Sequence, residues 1–224
     1  MKNKAKIIAI EGIDGSGKGL QYKRLCYNLE KKGYKIGKMD FPSYDEFFGK
    51  EIGRLLSGDE KANAANMDIK SMALWYAMDR MQSFSRVEIE SYDYILLNRS
   101  TLSNAVYQGA RCSEETRADF IKWIDELEFN HLNIPRPDLY IVFDIPPFQS
   151  KLNVAKKGHR DYVGEKADVY EANDNFMSKV RDGYLKSEKI FPNVALINCM
   201  GDEGMLPPEI IEKIVLETIE ERLK

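Results

Sequence analysis

This sequence of 224 residues has little cysteine, no long apolar run at its start and no excess of positive charge. Its three cysteines, Cys26, Cys112 and Cys199, are widely scattered and form no CxxC pair, which indicates reduced thiols and argues against a bound metal cluster. The apolar run behind the basic start MKNKAK is only about one strand long, too short for a signal peptide core or a membrane span. A net charge of −3 offers no broad basic field for nucleic acid. We therefore expect a cytoplasmic protein without membrane or nucleic-acid partners.

The chain also lacks an internal repeat, a low-complexity tract and a linker long enough to divide it. With 43% hydrophobic residues, residues 1–224 are predicted to form a single domain with a sizeable core. Strand-like apolar segments alternate with helix-like segments, a pattern that predicts an α/β fold with a parallel sheet between two layers of helices. The predicted strands are 7–10, 35–41, 92–97, 139–145 and 194–198.

A glycine-rich loop follows the first predicted strand and precedes the first predicted helix. Its sequence is Gly12-Ile13-Asp14-Gly15-Ser16-Gly17-Lys18, the arrangement of a phosphate-binding loop. Glycines allow successive backbone N–H groups to turn toward phosphate oxygens, and the following helix directs the positive end of its dipole at the same place. Lys18 adds a mobile charge for the terminal phosphates. The predicted ATP-binding residues are Gly12, Asp14, Gly15, Ser16, Gly17, Lys18, Gly19 and Leu20.

Other strand ends carry further candidates, because ligands of parallel α/β sheets bind beyond the carboxyl ends of the strands. These candidates are Asp40-Phe41-Pro42, Asn98-Arg99 and Asp144. An arginine in the position of Arg99 can clamp a phosphate through two parallel hydrogen bonds. Tyr76 and Arg80 lie one turn apart on a predicted helix over 67–86 and therefore share a face.

The segment 151–166 is basic, and two interpretations of it stay open. It contains Lys151, Lys156, Lys157, Arg160 and Lys166 against only two acidic residues. A run of charge is commonly a solvated surface. The position of this run, between two elements near the predicted phosphates, also suits a lid that closes over the group being transferred.

Five motifs together resemble the thymidylate kinase family of P-loop nucleoside monophosphate kinases, which transfer a phosphoryl group from ATP to dTMP. The motifs are EGIDGSGK (11–18), FPSY (41–44), YAMDR (76–80), NRSTLSNAVYQG (98–109) and DVYE (168–171). They cover nearly the whole chain in the family's order, and resemble most the branch with a basic lid. The resemblance implies a three-layer P-loop kinase fold with a five-stranded parallel sheet and a lid at about 151–170. It also implies ATP as phosphoryl donor, Mg²⁺ as cofactor and a homodimer.

The resemblance also assigns roles to individual residues, which we state as expectations. Tyr76 would stack on the thymine ring, Arg80 would bond a base carbonyl, and Arg99 would hold the monophosphate. The remaining expected substrate-binding residues line the base, sugar and phosphate positions: Asp14, Phe41, Pro42, Tyr44, Asn104, Tyr107, Gln108, Asp168 and Tyr170. Lys18, Arg99 and Arg160 would be catalytic, with Lys156 or Lys157 as alternatives to Arg160. Asp14 and Asp168 would contact the metal, through water, and Glu171 completes their motif.

Three positions depart from the family's pattern. Gly19 replaces the hydroxyl that normally binds Mg²⁺, Asn98 replaces the aspartate that normally precedes the arginine, and Ser100 replaces an aromatic residue. Water can fill a vacated Mg²⁺ ligand position, but an amide lacks the charge of a carboxylate. We therefore expect other acids to supply the missing charge, with Asp14, Asp144 and Asp168 as candidates.

Two alternatives to a dTMP kinase follow from these departures and from the limits of the resemblance. One keeps the fold and changes the acceptor to another deoxynucleotide or to a nucleoside. The other is a nucleotide-binding protein with weak or no kinase activity, because its metal site has degenerated.

Overall fold

The computed structural model describes residues 5–58, 63–157 and 174–223. Its main sheet has five strands in the order β2-β3-β1-β4-β5, and all neighbouring pairs are parallel. The strands are β1 (Lys6–Gly12), β2 (Ile36–Asp40), β3 (Tyr94–Asn98), β4 (Leu139–Asp144) and β5 (Val194–Asn198). The five-stranded parallel sheet predicted from the sequence is therefore confirmed.

Burial along the strands follows their place in the sheet. In the central strand β1, Ile8, Ala9 and Ile10 are fully buried, and β4 is buried from Leu139 to Phe143. Such continuous apolar runs are required where helices cover both faces of a strand. At the edge, β2 instead alternates between buried and exposed residues and ends at the exposed Asp40.

Eight α-helices pack around this sheet within the described residues. They are α1 (Lys18–Lys31), α2 (Phe47–Ser57), α3 (Ile69–Phe84), α4 (Thr101–Gly109), α5 (Glu114–Asp125), α6 (Pro147–Lys157), α7 (Asp174–Leu185) and α8 (Pro208–Arg222). Helices α1 and α8 contact each other, whereas α4 contacts α3, α5 and α7. No helix in the described ranges is long and apolar enough to cross a membrane.

Two features differ from the elements expected from the sequence. The predicted basic segment begins inside a helix, because α6 starts at Pro147 and Ser150 N donates to Pro146 O at 3.1 Å. Proline suits the first position of a helix, where its missing N–H is no loss. The predicted helix 114–130 consists of α5 followed by a π-helical turn at Glu126–His131.

Candidate functional site

The glycine-rich loop has the backbone that its composition predicts. Gly12, Gly15 and Gly17 have φ values of +133°, +75° and +89°, which side-chain-bearing residues rarely adopt. A Cβ atom on Gly12 would lie 2.6 Å from Phe143 O, and one on Gly15 would lie 2.5 Å from Ser150 O. Glycine is therefore required at positions 12 and 15 for two reasons: the backbone conformation, and the close contact of a neighbouring carbonyl oxygen with the Cα atom.

Polar groups of the loop converge at the start of α1. Lys18 is 7% exposed, and its Nζ donates to Ile13 O at 2.7 Å and lies 3.8 Å from Asp14 Oδ1. The Ser16 hydroxyl is buried without a hydrogen-bond partner among the described residues. An orphaned buried hydroxyl is unusual in a folded protein, and here it fits a group that bonds an oxygen of a bound phosphate.

Helix α6 holds the loop from outside. Ser150 Oγ donates to Asp14 O at 2.6 Å, and Asn153 Nδ2 donates to Gly15 O at 2.8 Å. The sequence analysis missed both residues, although their spacing of about one helical turn is the signal of a polar helix face. These bonds satisfy two carbonyls of the loop without using any of its N–H groups.

Three predicted site residues from separate elements meet at one carboxylate. Arg99 Nη2 donates to Asp14 Oδ1 at 2.5 Å, and the Tyr107 hydroxyl donates to Asp14 Oδ2 at 2.8 Å. The Arg99 guanidinium also lies 5.1 Å from the centre of the Tyr107 ring. Burial alone would lower the pKa of Arg99, but Asp14 together with Tyr107, Tyr184 and Glu11 outweighs it and raises that pKa well above its usual value. Arg99 is thus a charged group in a partly buried site.

Arg99 is also held in an uncommon backbone conformation, with φ at +69°. A non-glycine residue in this region is strained, and such strain concentrates at functional sites. Ser100, one of the three departures from the family's pattern, follows it directly. Its hydroxyl accepts from Leu102 N at 3.2 Å and donates to Glu11 Oε1 at 2.6 Å, so it caps α4 and ties it to β1.

Glu11 forms a second buried centre beside Arg99, and the sequence analysis did not identify it. It is fully buried and accepts from Ser100, from Ser103 Oγ at 2.5 Å and from the Tyr184 hydroxyl at 3.1 Å. Burial raises the pKa of Glu11, and these hydroxyls and Arg99 oppose the shift. Ser103 also accepts from Arg99 Nη1 at 3.2 Å, so Glu11 supports Arg99 through a hydroxyl.

Arg80 lies deeper than a surface arginine and is 2% exposed. Its Nε and Nη2 donate to the two carboxylate oxygens of Glu128 at 2.6 and 2.5 Å. Burial alone would lower the pKa of Arg80, but the charge and hydrogen bonds of Glu128, together with Asp79 and Glu11, outweigh it and the pKa is raised. The guanidinium lies 6.0 Å from the centre of the Phe41 ring, which is buried at the end of β2.

The other residues expected at the base and sugar occupy the same region. Asn104 and Gln108 are buried, and each has one polar atom without a partner among the described residues, Asn104 Oδ1 and Gln108 Nε2. Tyr76 is half-buried on α3, one turn before Arg80. Pro42 and Tyr44 are half-buried and line a cavity of about 790 Å³ beside the end of β2.

The acidic side chains that are candidates for binding the metal differ in whether an arginine already holds them. Asp144 is held by Arg181 through bonds of 2.6 and 2.9 Å, and Asp14 is held by Arg99. Asp40 instead accepts one bond, at 2.8 Å, from the amide of Asn98. Although the Asp40 residue reaches the surface, neighbouring atoms partly desolvate its carboxylate and raise its pKa, against the opposing effects of Asn98, Arg99 and Lys18. In the described ranges no three His, Cys, Asp or Glu side chains are grouped to hold a metal ion.

The remaining predictions fall on parts of the chain that the structure does not describe or places away from the loop's interior. Arg160, Asp168, Tyr170 and Glu171 lie outside the described residues. Leu20 is 48% exposed on α1, and a Cβ atom on Gly19 would meet nothing within 4 Å. The glycine at position 19 is therefore not imposed by packing, and a hydroxyl-bearing side chain would have room there.

Comparisons with known proteins agree with one another. A family model described as "Thymidylate kinase" matches residues 10–200. The chain is 28% identical over 167 residues to the thymidylate kinase of Mycobacterium tuberculosis (strain H37Rv), covering 74% of this chain and 77% of that protein. It is 29% identical over 213 residues to a probable thymidylate kinase of Thermococcus kodakarensis, covering 92% and 96%. The fold is similar to a solved Candida albicans thymidylate kinase, with a TM-score of 0.72 at 20% identity over 97% of this chain and 92% of that one.

Proposed function

Because the chain belongs to the thymidylate kinase family, we propose that it transfers the γ-phosphoryl group of ATP to dTMP, giving ADP and dTDP. One observation carries this proposal. Asp14 of the phosphate loop accepts hydrogen bonds from Arg99 at 2.5 Å and from Tyr107 at 2.8 Å. The expected donor site and the expected acceptor site therefore lie next to each other, and in-line transfer requires two phosphates to be held close together.

The proposed mechanism needs no side-chain nucleophile, because an oxygen of the acceptor's own phosphate attacks. Phosphoryl transfer asks the protein mainly to position two anions and to neutralise developing charge. Lys18 and the loop N–H groups would hold the donor phosphates, while Arg99 would hold the acceptor phosphate as a two-pronged donor. Asp14 would keep Arg99 oriented toward the loop.

Base recognition is supported by the polar atoms that surround Glu128. Arg80 and Asn104 both donate to Glu128 Oε1, so the two side chains are neighbours. Arg80 Nη1 donates no hydrogen bond to the described residues, and Asn104 Oδ1 accepts none from them. A donor beside an acceptor complements O4 and N3–H of thymine, whereas cytosine carries an amino group in place of that carbonyl. Tyr76 would stack on the ring and Gln108 would contact the base edge.

A Mg²⁺ ion would complete the proposed site by supplying positive charge between the phosphates. Of the acids at the described strand ends, Asp40 is the one without an arginine partner, and the Asn98 Oδ1 atom beside it is orphaned. This pair fits a hydrated cation held mainly by phosphate oxygens and waters. We propose Asp40 as a further water-mediated contact beside Asp14 and Asp168. Asp144 is disfavoured by its arginine partner.

Three further elements of the proposal rest on the family resemblance: the lid at about 151–170, the charge-stabilising role of Arg160 and the homodimer. The proposed cytoplasmic location rests instead on the scattered cysteines and on the short apolar run behind the basic start. Light scattering of the purified protein tests the dimer, and Arg160→Ala compared with Lys156→Ala tests the lid arginine. Retained turnover in Arg160→Ala would transfer the role to another basic residue.

A coupled assay of ADP formation over a panel of nucleoside monophosphates tests the function. We expect turnover with dTMP above all other acceptors, and we expect Lys18→Ala to abolish it without unfolding the protein. Lys31→Ala, an exposed lysine at the end of the same helix, is the matched control. If another monophosphate were the best acceptor, the protein would be a kinase of the same fold for a different deoxynucleotide or a nucleoside. Nucleotide binding without turnover would indicate a degenerate metal site.

A further inference from the structure

Glu128 has a fully buried carboxylate that joins three side chains from two helices of the site. Its two oxygens accept four hydrogen bonds, two from Arg80, one from Thr101 Oγ1 at 2.7 Å and one from Asn104 Nδ2 at 2.9 Å. Arg80 lies on α3, and Thr101 and Asn104 lie on α4. A buried carboxylate this completely satisfied is rigid, because each displacement breaks charge-assisted bonds in a medium of low dielectric constant.

Glu128 lies in an irregular helical turn. The turn is the π-helical segment Glu126–His131, which directly follows α5. Leu132 N donates to Leu127 O and Ile134 N donates to Glu128 O, both at 2.9 Å. A π turn contains more residues than an α turn, is rare, and occurs frequently at functional sites. It changes the direction in which the following side chains point, and here it contains the one residue that reaches both Arg80 and Asn104.

We propose that Glu128 is a positioning residue that sets the base specificity of this enzyme, by fixing Arg80 and Asn104 relative to each other. The inference rests on the proposed function and deepens it. Oε1 receives both Arg80 Nη2 and Asn104 Nδ2. The asparagine NH₂ group is thereby held between Glu128 Oε1 and Ala73 O, to which it also donates at 3.0 Å, and its Oδ1 atom points away from the glutamate. The same carboxylate holds Arg80 by Nε and Nη2, which leaves Nη1 for a ligand.

Only a carboxylate can do this in the observed geometry. Every group that faces Glu128 is a donor, and an ionised carboxylate is a pure acceptor with room for four bonds. In Glu128→Gln, the NH₂ group of the glutamine would face one of these donors, with N–H against N–H. The positive charge of Arg80 would also lose its negatively charged partner. Asn104 Nδ2 would keep its bond to Ala73 O but lose its acceptor on residue 128, and Arg80 would no longer be held relative to it. The loss of this fixed donor and acceptor pair would weaken the preference for a base with N3–H and a carbonyl over one with an amino group.

The experiment compares wild type with Glu128→Gln and, as matched control, Thr101→Val. Both substitutions weaken the same buried network, but within the described residues the Thr101 hydroxyl bonds Glu128 and makes no hydrogen bond to the side chain of Arg80 or Asn104. Calorimetry gives the dissociation constants for thymidine, deoxycytidine and ADP, and steady-state assays give kcat and KM for dTMP and dCMP. We expect Glu128→Gln to reduce the discrimination between thymidine and deoxycytidine about tenfold or more, mainly through KM. The control should change it by less than about threefold, and ADP affinity should stay constant in both.

The outcomes separate this inference from the proposed function. If wild type phosphorylates dTMP and Glu128→Gln keeps full discrimination while only its thermal stability falls, Glu128 is merely structural and the inference is overturned. Should Glu128→Gln fail to fold, Glu128→Asp serves instead: it keeps the charge, draws the carboxylate back by one methylene, and is expected to lower discrimination in the same direction. Wild type that prefers thymidine but phosphorylates no monophosphate would overturn the function and leave the specificity role standing.

Discussion

Asn98 donates a hydrogen bond from its side-chain amide to Asp40 Oδ1 at 2.8 Å, and the two residues are register partners at the ends of β3 and β2. An aspartate at position 98 would place two carboxylates side by side, which is unfavourable when neither has an arginine partner. The amide at position 98 is therefore explained by the acid at position 40. The pair retains one negative charge at this edge of the sheet, on the neighbouring strand.

We predict that Asp40→Asn weakens the binding of a divalent cation in the presence of ADP by about tenfold or more, because it removes that charge. The exchange variant Asp40→Asn with Asn98→Asp restores one carboxylate and should recover most of the loss. Titration with Mn²⁺, followed by paramagnetic resonance, measures the affinity independently of turnover. Unchanged affinity in Asp40→Asn would remove Asp40 from the metal site. A gain of about a hundredfold in turnover from Gly19→Thr with Asn98→Asp would instead indicate a degenerate site.

Arg99 should distinguish a nucleotide from a nucleoside. We predict that Arg99→Ala weakens dTMP about 10- to 100-fold while thymidine changes much less, because only dTMP carries the phosphate that the guanidinium would bond. Competition binding with both ligands measures the two effects in one protein. Equal weakening of dTMP and thymidine would show that the substitution disturbs the site through Asp14 and Tyr107 rather than through a phosphate contact.

Two glycines of the phosphate loop should respond oppositely to the same change. Gly15→Ala is expected to destabilise the fold by about 1–3 kcal/mol and to abolish nucleotide binding, because its Cβ would meet Ser150 O at 2.5 Å and φ is +75°. Gly19→Ala should be neutral or stabilising by up to about 1 kcal/mol, since that position is open and helical. Chemical denaturation and ADP titration of both variants decide this. Similar losses in both would contradict the loop geometry.

Asp79 should make stability depend on pH. Burial raises the pKa of Asp79 to about 6, against opposing effects of the Ser43 N–H and Arg80. The pKa of an unfolded aspartate is about 3.9, so Asp79 binds its proton more tightly in the folded state than in the unfolded state. Ionisation of Asp79 therefore lowers the free energy of unfolding. Wild type should therefore lose stability as the pH rises from about 4 to about 6, by roughly 1–3 kcal/mol from this group. Asp79→Asn should abolish that part of the slope, whereas the exposed Asp119→Asn should not.

Denaturant unfolding of wild type and both aspartate variants at several pH values across this window provides the test. A constant difference between Asp79→Asn and wild type at every pH would show that Asp79 has an ordinary pKa. The Ser43 N–H bond to Asp79 Oδ2, at 3.0 Å, is retained by either side chain, so that contact cannot explain a pH-dependent difference.

The glycine-rich loop and the class of fold could both be predicted from the sequence. Gly12 and Gly17 are needed for a local backbone conformation that few residue types adopt, and Lys18 follows Gly17 directly. The motif can therefore be recognised from a short stretch of sequence, without knowledge of the tertiary contacts. The alternation of apolar strands with amphipathic helices likewise predicts a parallel sheet, because each element must bury one surface against another. The five strands of the sheet were all predicted from this signal, whereas α6 was missed, because its polar face serves the loop and breaks the apolar pattern.

Which side chains face each other across the site depends on the tertiary structure and could not be predicted from the sequence. Asp14 and Arg99 are 85 residues apart, and Arg80 and Glu128 are 48 apart. Such pairings depend on the order of the strands and on the packing of helices over them, which no local pattern encodes. Glu128 illustrates the limit, since in the sequence it is one acid among several in a charged helix. Its role appears only when a π turn directs it inward against Arg80 and Asn104, where a carboxylate is the one group that can accept every donor it meets.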